Sequence, residues 1–220
     1  MTHRIPRSPR RLSLSLPCLL LACSGDAEPQ GFPPGLEPLE PLEVSCSGGV
    51  GELVTRSGEA EDFDWTHGCG TLDATLDEVY EAMQDTEVAV DQRSVDVWTR
   101  EDGVEPEHDV SFSLQNTVYD IITVEFETTW RGGALSGDDK AGLTELGARY
   151  QMTVAPEVIT LIEGSVFATD NGDGTVEIQI IDHLDALRGG TDITELKVED
   201  YFADVQAHIA GEPIPSHRDE

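Results

Sequence analysis

The sequence predicts an α+β domain: an antiparallel sheet, a short capped helix after its first strand, and a long amphipathic C-terminal helix. Three observations carry this. Apolar residues recur at every second position through much of residues 94–181, the period of a half-buried strand. Thr75-Leu76-Asp77-Glu78 has the form of a helix capping box. Val198, Phe202, Val205 and Ile209, helped by Tyr201, make one apolar helical stripe, with Gly211 and Pro213 behind it to end the helix.

The 220 residues do not all belong to that domain. In residues 1–22, Arg4, Arg7, Arg10 and Arg11 precede a leucine-rich run broken by Ser13, Ser15 and Pro17. That is the pattern of a removable export signal, and the run is shorter than the roughly 20 apolar residues of a membrane-spanning helix. Leu20-Leu21-Ala22-Cys23 closes it and resembles the lipobox of bacterial lipoprotein precursors. The resemblance implies lipidation of Cys23 and a place in the bacterial cell envelope, anchored to the outer membrane. The plainer alternative is an ordinary secretory signal without lipid. Cys18 falls inside the removed segment.

Residues 23–43 read as an acidic tether. Pro29, Pro33, Pro34, Pro38 and Pro41 block helix and favour extended chain. Such a spacer would hold a domain away from a membrane, or present a polyproline ligand. The domain itself is expected over 44–212, long enough for a sizeable core, with a flexible tail at 213–220.

The net charge is −31, and loss of a leader carrying four arginines takes it to −35. Such a surface repels phosphate backbones and anionic lipid headgroups. Nucleic acid is therefore excluded as a partner, and attachment to a membrane would come from acyl chains. In an oxidising compartment the remaining pair, Cys46 and Cys69, is expected to form a disulfide. Its loop of about 24 residues is worth ~3 kcal/mol in the chain-entropy estimate. A metal site on His67 and Cys69 is the weaker alternative, because no further Cys or His pair lies nearby.

In chain order, 44–62 is a glycine-rich strand or loop held by Cys46, and 63–72 is a strand. Leu76, Val79, Tyr80 and Met83 form the inner face of the capped helix, with Asp77, Glu78 and Glu81 outside. Strand alternation then runs through Val95 and Val97, through Val110, Phe112 and Leu114, and through Val124, Phe126 and Trp130. It resumes at Ile159 and Leu161, at Val166, and at Val176, Ile178 and Ile180. Asp170-Asn171-Gly172-Asp173-Gly174 carries hairpin-turn chemistry. It is not a calcium loop, because the carboxylate required eleven residues after Asp170 is replaced by Ile181. Leu135–Arg149 reads as short helix or loop.

This order of elements resembles the START-related helix-grip superfamily, also called SRPBCC. The likeness lies in Gly70–Met83, where a strand passes into a helix through small residues, and in the closing helix Val198–Ala210. It covers about 63–211. The resemblance implies a curved antiparallel sheet gripping the long C-terminal helix, with a small apolar ligand between them. Carried over, the lining would be Val110, Phe112, Val124, Phe126, Trp130, Ile178, Ile180, Phe202 and Val205. The alternative is that these residues fill a dry core.

No motif names a reaction. The chain lacks a Gly-x-Ser-x-Gly elbow, a His-Glu-x-x-His pair, a phosphate loop and a dinucleotide fingerprint. Asp182-His183-Leu184-Asp185 is the nearest catalytic candidate, but neighbours on a strand point apart and His183 follows the exposed face. Glu125 and Glu127 share a face, as acidic pairs will in a chain with 44 acidic residues. His67 and His108 read as surface or turn residues. The expectation is a non-enzymatic, lipid-anchored binder without cofactor or metal. A solid interaction domain and a cyclase-type enzyme of the same superfamily are the alternatives.

Overall fold

The structure, a computed structural model, describes residues 35–138 and 142–218. The export signal, Cys23, the first part of the tether and Asp139-Lys140 lie outside the described residues. Eight antiparallel strands form one sheet in the order β1-β2-β8-β7-β6-β5-β4-β3. They are β1 (Leu53–Glu59), β2 (Asp64–Leu72), β3 (Val97–Asp102), β4 (Val110–Tyr119), β5 (Thr123–Asp138), β6 (Gly142–Val154), β7 (Ile159–Asp170) and β8 (Val176–Ala186). Three helices accompany them: α1 (Leu76–Met83), α2 (Thr86–Ala89) and α3 (Thr191–Ala210). The early strand β2 and the last strand β8 meet near one edge of the sheet, where they pair antiparallel.

The expected fold class holds: a curved antiparallel sheet grips a long C-terminal helix, and a short capped helix follows the first two strands. Both halves of the capping box form at Thr75 and Glu78. The 170–174 segment is the β7–β8 hairpin turn, with Gly172 and Gly174 at positive φ. The Asp170 and Asp173 carboxylates accept hydrogen bonds from backbone N–H groups of the turn itself. Three expectations change. Leu135–Asp138 and Gly142–Arg149 are neither helix nor loop but strand, the two arms of the β5–β6 hairpin. The closing helix begins seven residues earlier than its apolar stripe, at Thr191, because its first two turns are largely polar. Near residue 96 the alternation shifts by one, so Val95 is buried while Val97 is 47% exposed.

What seats α3 is the absence of side chains on β2. The concave positions of β2 include Gly68 and Gly70. A Cβ at Gly68 would stand 2.6 Å from Val198 Cγ1, and one at Gly70 would stand 2.5 Å from Phe202 Cε2. The helix therefore rests on bare backbone. Beside these glycines, Thr66 Oγ1 meets Thr194 Oγ1 of α3 at 2.8 Å, and both residues are buried. The core between sheet and helices includes Leu72, Val79, Phe112, Leu114, Trp130, Leu146, Ile178, Ile180, Val198, Phe202 and Val205.

On the convex face a strap crosses the sheet. Arg149 of β6 donates to the carbonyls of Glu37 and Pro38. The Leu39 amide donates to Ser165 Oγ on β7. The Glu43 amide donates to His67 Nδ1 on β2. Cys46 then bonds Cys69, with Cα atoms 5.0 Å apart, within the usual disulfide range. Residues 36–43, the last part of the proline-rich stretch, thus lie against the domain. After α3, two residues of the mostly exposed 213–218 segment also pack. Ile214 lies against the core, and His217 is buried.

Replacing Gly70 with valine is expected to lift α3 from β2. Overpacking of this kind costs about 1–3 kcal/mol, which lowers the melting temperature by roughly 2–12 °C in a domain of this size. Thermal unfolding followed by circular dichroism checks this, and an unchanged midpoint would contradict the seating.

Candidate functional site

Between α3, the segment after α2 and the middle of the sheet lies a cavity of about 30 Å³. Trp130, Tyr150, Val166 and Ile180 form its floor. Lys197, Val198, Asp200, Tyr201 and Asp204 of α3 form one wall, and Val88–Gln92 form the other. A water needs about 10–15 Å³, and an engineered cavity of ~150 Å³ holds benzene. As it stands, the space takes one or two waters. A second void, about 10 Å³, lies under α1 between Tyr80, Met83, Phe112 and Trp130.

The floor is aromatic. Trp130 stacks on Tyr150 at 4.4 Å between centroids, and Tyr201 lies parallel to Trp130 at 6.3 Å. Tyr150 lies across β7 because its partner is Gly164, where a Cβ would stand 2.1 Å from the phenol oxygen. This brings the phenol to the Asp182 carboxylate on β8. Lys197 of α3 reaches the same carboxylate oxygen and passes over the Tyr150 ring. Burial pushes the Asp182 carboxyl up from its ordinary value, against the pull of Lys197, Tyr150 and His183. Burial also raises the Tyr150 and Tyr201 phenols, with Asp182 adding at Tyr150 and Asp204 at Tyr201. Two buried polar atoms here lack a hydrogen-bond partner: Tyr201 Oη and Asp182 Oδ2. Unpartnered buried groups are costly, so the Tyr201 hydroxyl is a donor available to a guest in the cavity.

A second polar cluster sits on the convex face under the strap. Glu40 Oε1 lies 2.8 Å from His67 Nε2 and 3.4 Å from His183 Nε2, and His183 Nδ1 lies 3.0 Å from Glu163 Oε1. The three groups Glu40, His67 and His183 are close enough together to suggest a metal site. Hydrogen bonding argues otherwise. His67 Nδ1 accepts the Glu43 amide, so the ring proton sits on Nε2 and faces Glu40. A ligating histidine needs the opposite arrangement, with its other nitrogen donating. The cluster is a hydrogen-bonded clamp. Burial works against protonation of His183, but hydrogen bonds and charge from Glu163 and Glu40 prevail and raise its pKa above the ordinary imidazole value.

The structure sorts the residues singled out above. Phe112, Trp130, Ile178, Ile180, Phe202 and Val205 are all buried on the concave side. Of these, Trp130 and Ile180 line the larger cavity, while Val110, Phe112 and Trp130 line the smaller void. Val124 and Phe126 are half-buried and line neither. The Asp182–Asp185 run divides as strand geometry requires, with Asp182 facing α3 and His183 facing away. His183 and His67 are not surface residues: both point from the convex face, but the strap buries them. His108 lies in the β3–β4 turn, 3.9 Å from Glu105. Glu127 accepts from Gln115 and Thr153, while Glu125 is exposed, so the two do not form an acid–base pair. Tyr150, Lys197 and the Val88–Gln92 wall were not singled out by sequence. Tyr150 follows a segment whose pattern was unreadable, and Lys197 lies just outside the apolar stripe.

No family model and no curated protein sequence matches the chain. Solved structures do. Human StAR-related lipid transfer protein 5 superposes with a TM-score of 0.51 at 12% identity, covering 72% of this chain and 82% of that one. The human StarD13 (DLC2) lipid transfer and protein localization domain superposes with a TM-score of 0.50 at 10% identity, covering 76% and 86%. Identity this low establishes the fold alone. The fold is the helix-grip fold of the START type.

The clamp has a pH signature. Below about pH 6.5, the ordinary imidazole value, His183 is protonated in folded and unfolded chain alike, and its pairing with Glu163 and Glu40 stabilises the fold fully. As pH rises through the higher folded value, the proton leaves and that contribution is lost. His183→Gln is therefore expected to cost about 1–3 kcal/mol at pH 5.5 and clearly less at pH 8.5, read as urea-unfolding free energies. An equal penalty at both values would count against the clamp.

Proposed function

We propose that this protein is an exported, lipid-anchored envelope protein whose helix-grip domain binds a small apolar ligand between the sheet and α3, without catalysing a reaction. One observation carries the binding reading. The cavity lies where sheet and C-terminal helix meet, and its aromatic floor faces a buried hydroxyl with no partner, Tyr201 Oη. A solid core would leave no reason for an orphaned donor beside a void. The names of the two superposed human proteins describe lipid transfer, which agrees with an apolar guest.

The charges narrow the guest. Asp91, Asp200 and Asp204 line the cavity, and Asp182 stands behind its floor. Against them are Lys197, tied to Asp182, and Arg93, tied to Asp200. An uncharged ligand, or one carrying a positive charge, suits these walls; a fatty-acid carboxylate does not. The small volume favours a second reading, a packed interaction domain with no guest at all. Ligand pockets usually measure about 300–1,000 Å³, so binding requires one wall to move.

Titration with an uncharged fluorescent probe such as N-phenyl-1-naphthylamine separates the two. Saturable binding that is lost in Val166→Trp, which fills the void, supports the binder. Binding that is absent, or indifferent to the substitution, supports the packed domain. For the anchor, Cys23→Ser is expected to abolish partition into the membrane fraction and the acyl mass increment. Unchanged partition would exclude lipidation.

A further inference from the structure

The cavity has one movable wall, and the C-terminal tail ties it down. Residues 85–96 comprise the single turn of α2 and an irregular stretch leading to β3. Val88, Val90 and Val95 plug this segment into the core, and Val88–Gln92 cover the cavity. The sheet cannot yield here, because every strand beneath is paired on both sides. The 85–96 segment has no such ladder.

Side chains hold it instead. Arg93 forms a two-pronged ion pair with Asp200 of α3, at 2.8 and 2.9 Å. His208 of α3 approaches Asp85 at 3.0 Å. Neighbouring strands add three ties: Arg100 donates to Thr86 Oγ1, the Tyr119 amide to Asp96, and the Asp96 amide to the Thr117 carbonyl. Further ties come from the tail. Arg218 donates to the carbonyls of Gln92 and Val95 and to Asp96, the last at 2.7 Å. His217 is buried, with Nε2 2.7 Å from Asp204 Oδ1 and Nδ1 3.2 Å from Asp200 Oδ1. One residue of the tail thus grips the lid and its neighbour grips the helix beside the cavity.

The backbone carries the same sign. His217 has φ of +56°, the one non-glycine in the left-handed region among the described residues. That conformation is costly for an ordinary side chain and persists where the surroundings fix it. Pro213 and Pro215 stiffen the approach, and Ile214 anchors it to the core. Fixing the segment after α3 in a strained turn loses conformational entropy, which the contacts of His217 and Arg218 must outweigh.

We propose that residues His217 and Arg218 form a clasp that holds the 85–96 segment shut over the cavity, so that release of the tail opens the ligand site. This rests on the binding function proposed above and adds its control element. The clasp is polar and belongs to no strand of the sheet, so it can part without disturbing the sheet. The buried valines then move with the segment, and the space above Trp130 and Tyr150 joins solvent between the lid and α3.

The test places one reporter cysteine under the lid, Val88→Cys, and another at Val176→Cys, buried in β8 away from it. Labelling by a small thiol reagent is followed in the otherwise intact chain, in Arg218→Ala, and in a chain ending at Ser216. The expected result is labelling at position 88 at least tenfold faster in both tail variants, with the rate at 176 unchanged. An unchanged rate at 88 overturns the clasp. Equal acceleration at 88 and 176 also overturns it, because the tail would then act through global stability. The uncharged probe is added in parallel. Faster labelling at 88 with no probe bound by any variant leaves the clasp standing and overturns the ligand reading. Faster labelling together with faster probe association supports both.

Discussion

Bare backbone at Gly68 and Gly70 is the constraint on which the rest of the domain depends. Because β2 offers no Cβ at these two concave positions, α3 lies against the sheet instead of riding over a layer of side chains. The depth of that seat sets where each helix residue arrives. Val198 and Phe202 fill the space the glycines leave. Thr194 comes within hydrogen-bond range of Thr66, and Lys197 reaches Asp182. Tyr201 is carried out to lie parallel to Trp130 of β5. The cavity is what remains where α3, seated on β2 and β1, leaves a curved sheet. It opens on the side where the sheet bends away, and the α2 segment fills the gap.

The two faces of the central strands solve different problems. The concave face is mostly apolar, its charged network being Tyr150–Asp182–Lys197, and a raised carboxyl there is the cost of burial that its partners do not wholly offset. The convex face is polar and would suit water, yet Arg149, Gln151, Ser165, His67 and His183 are all buried on it. The strap supplies what solvent would have supplied: carbonyls for Arg149, an amide for His67, a carboxylate shared by two imidazoles. Buried polar groups need partners, so the strap has a fixed register. Leu36 marks one end of it, over Gly147, where a Cβ would stand 2.2 Å from the Leu36 carbonyl oxygen. The disulfide marks the other.

This division explains what the sequence could and could not tell. Strand period, the capping box and the helix stripe all report on one face meeting one core, and those elements stand where expected. His67 and His183 point the way their alternation requires, but a period of two cannot say that a segment more than twenty residues upstream will cover them. A proline-rich acidic stretch has the composition of a spacer, and nothing in 36–43 advertises the hydrogen bonds that dock it. The β5–β6 hairpin escaped notice because β6 is buried on both faces, with Arg149 and Gln151 among its buried positions, so no wet side marks the alternation. The candidate lining was legible as a list of inward residues. Which of them border empty space was not, since that depends on the residual gap left by α3. Tyr150 and Lys197 matter through tertiary geometry, Gly164 making room for one and Asp182 attracting the other.

A small cavity with an uncompensated hydroxyl has an energetic consequence. In the shut state the Tyr201 hydroxyl forgoes a hydrogen bond and the void forgoes packing, so the closed domain is not at the bottom of its possible stability. A guest that reaches Tyr201 and fills the void recovers both contributions, but only after the 85–96 segment has left its contacts with α3 and the tail. On the proposed function, the observed affinity is therefore the intrinsic affinity multiplied by the fraction of molecules already open. Strengthening the clasp lowers that fraction and weakens every ligand equally, whereas altering Asp91, Asp200 or Asp204 changes which ligands are preferred. The two sets are not fully separate, because Asp200 and Asp204 serve as cavity wall and as clasp partners to His217. Any guest that draws a positive charge to those carboxylates competes with His217 for them. Binding and release of the tail are then coupled through shared atoms, and selectivity for a cationic guest and ease of opening rise together.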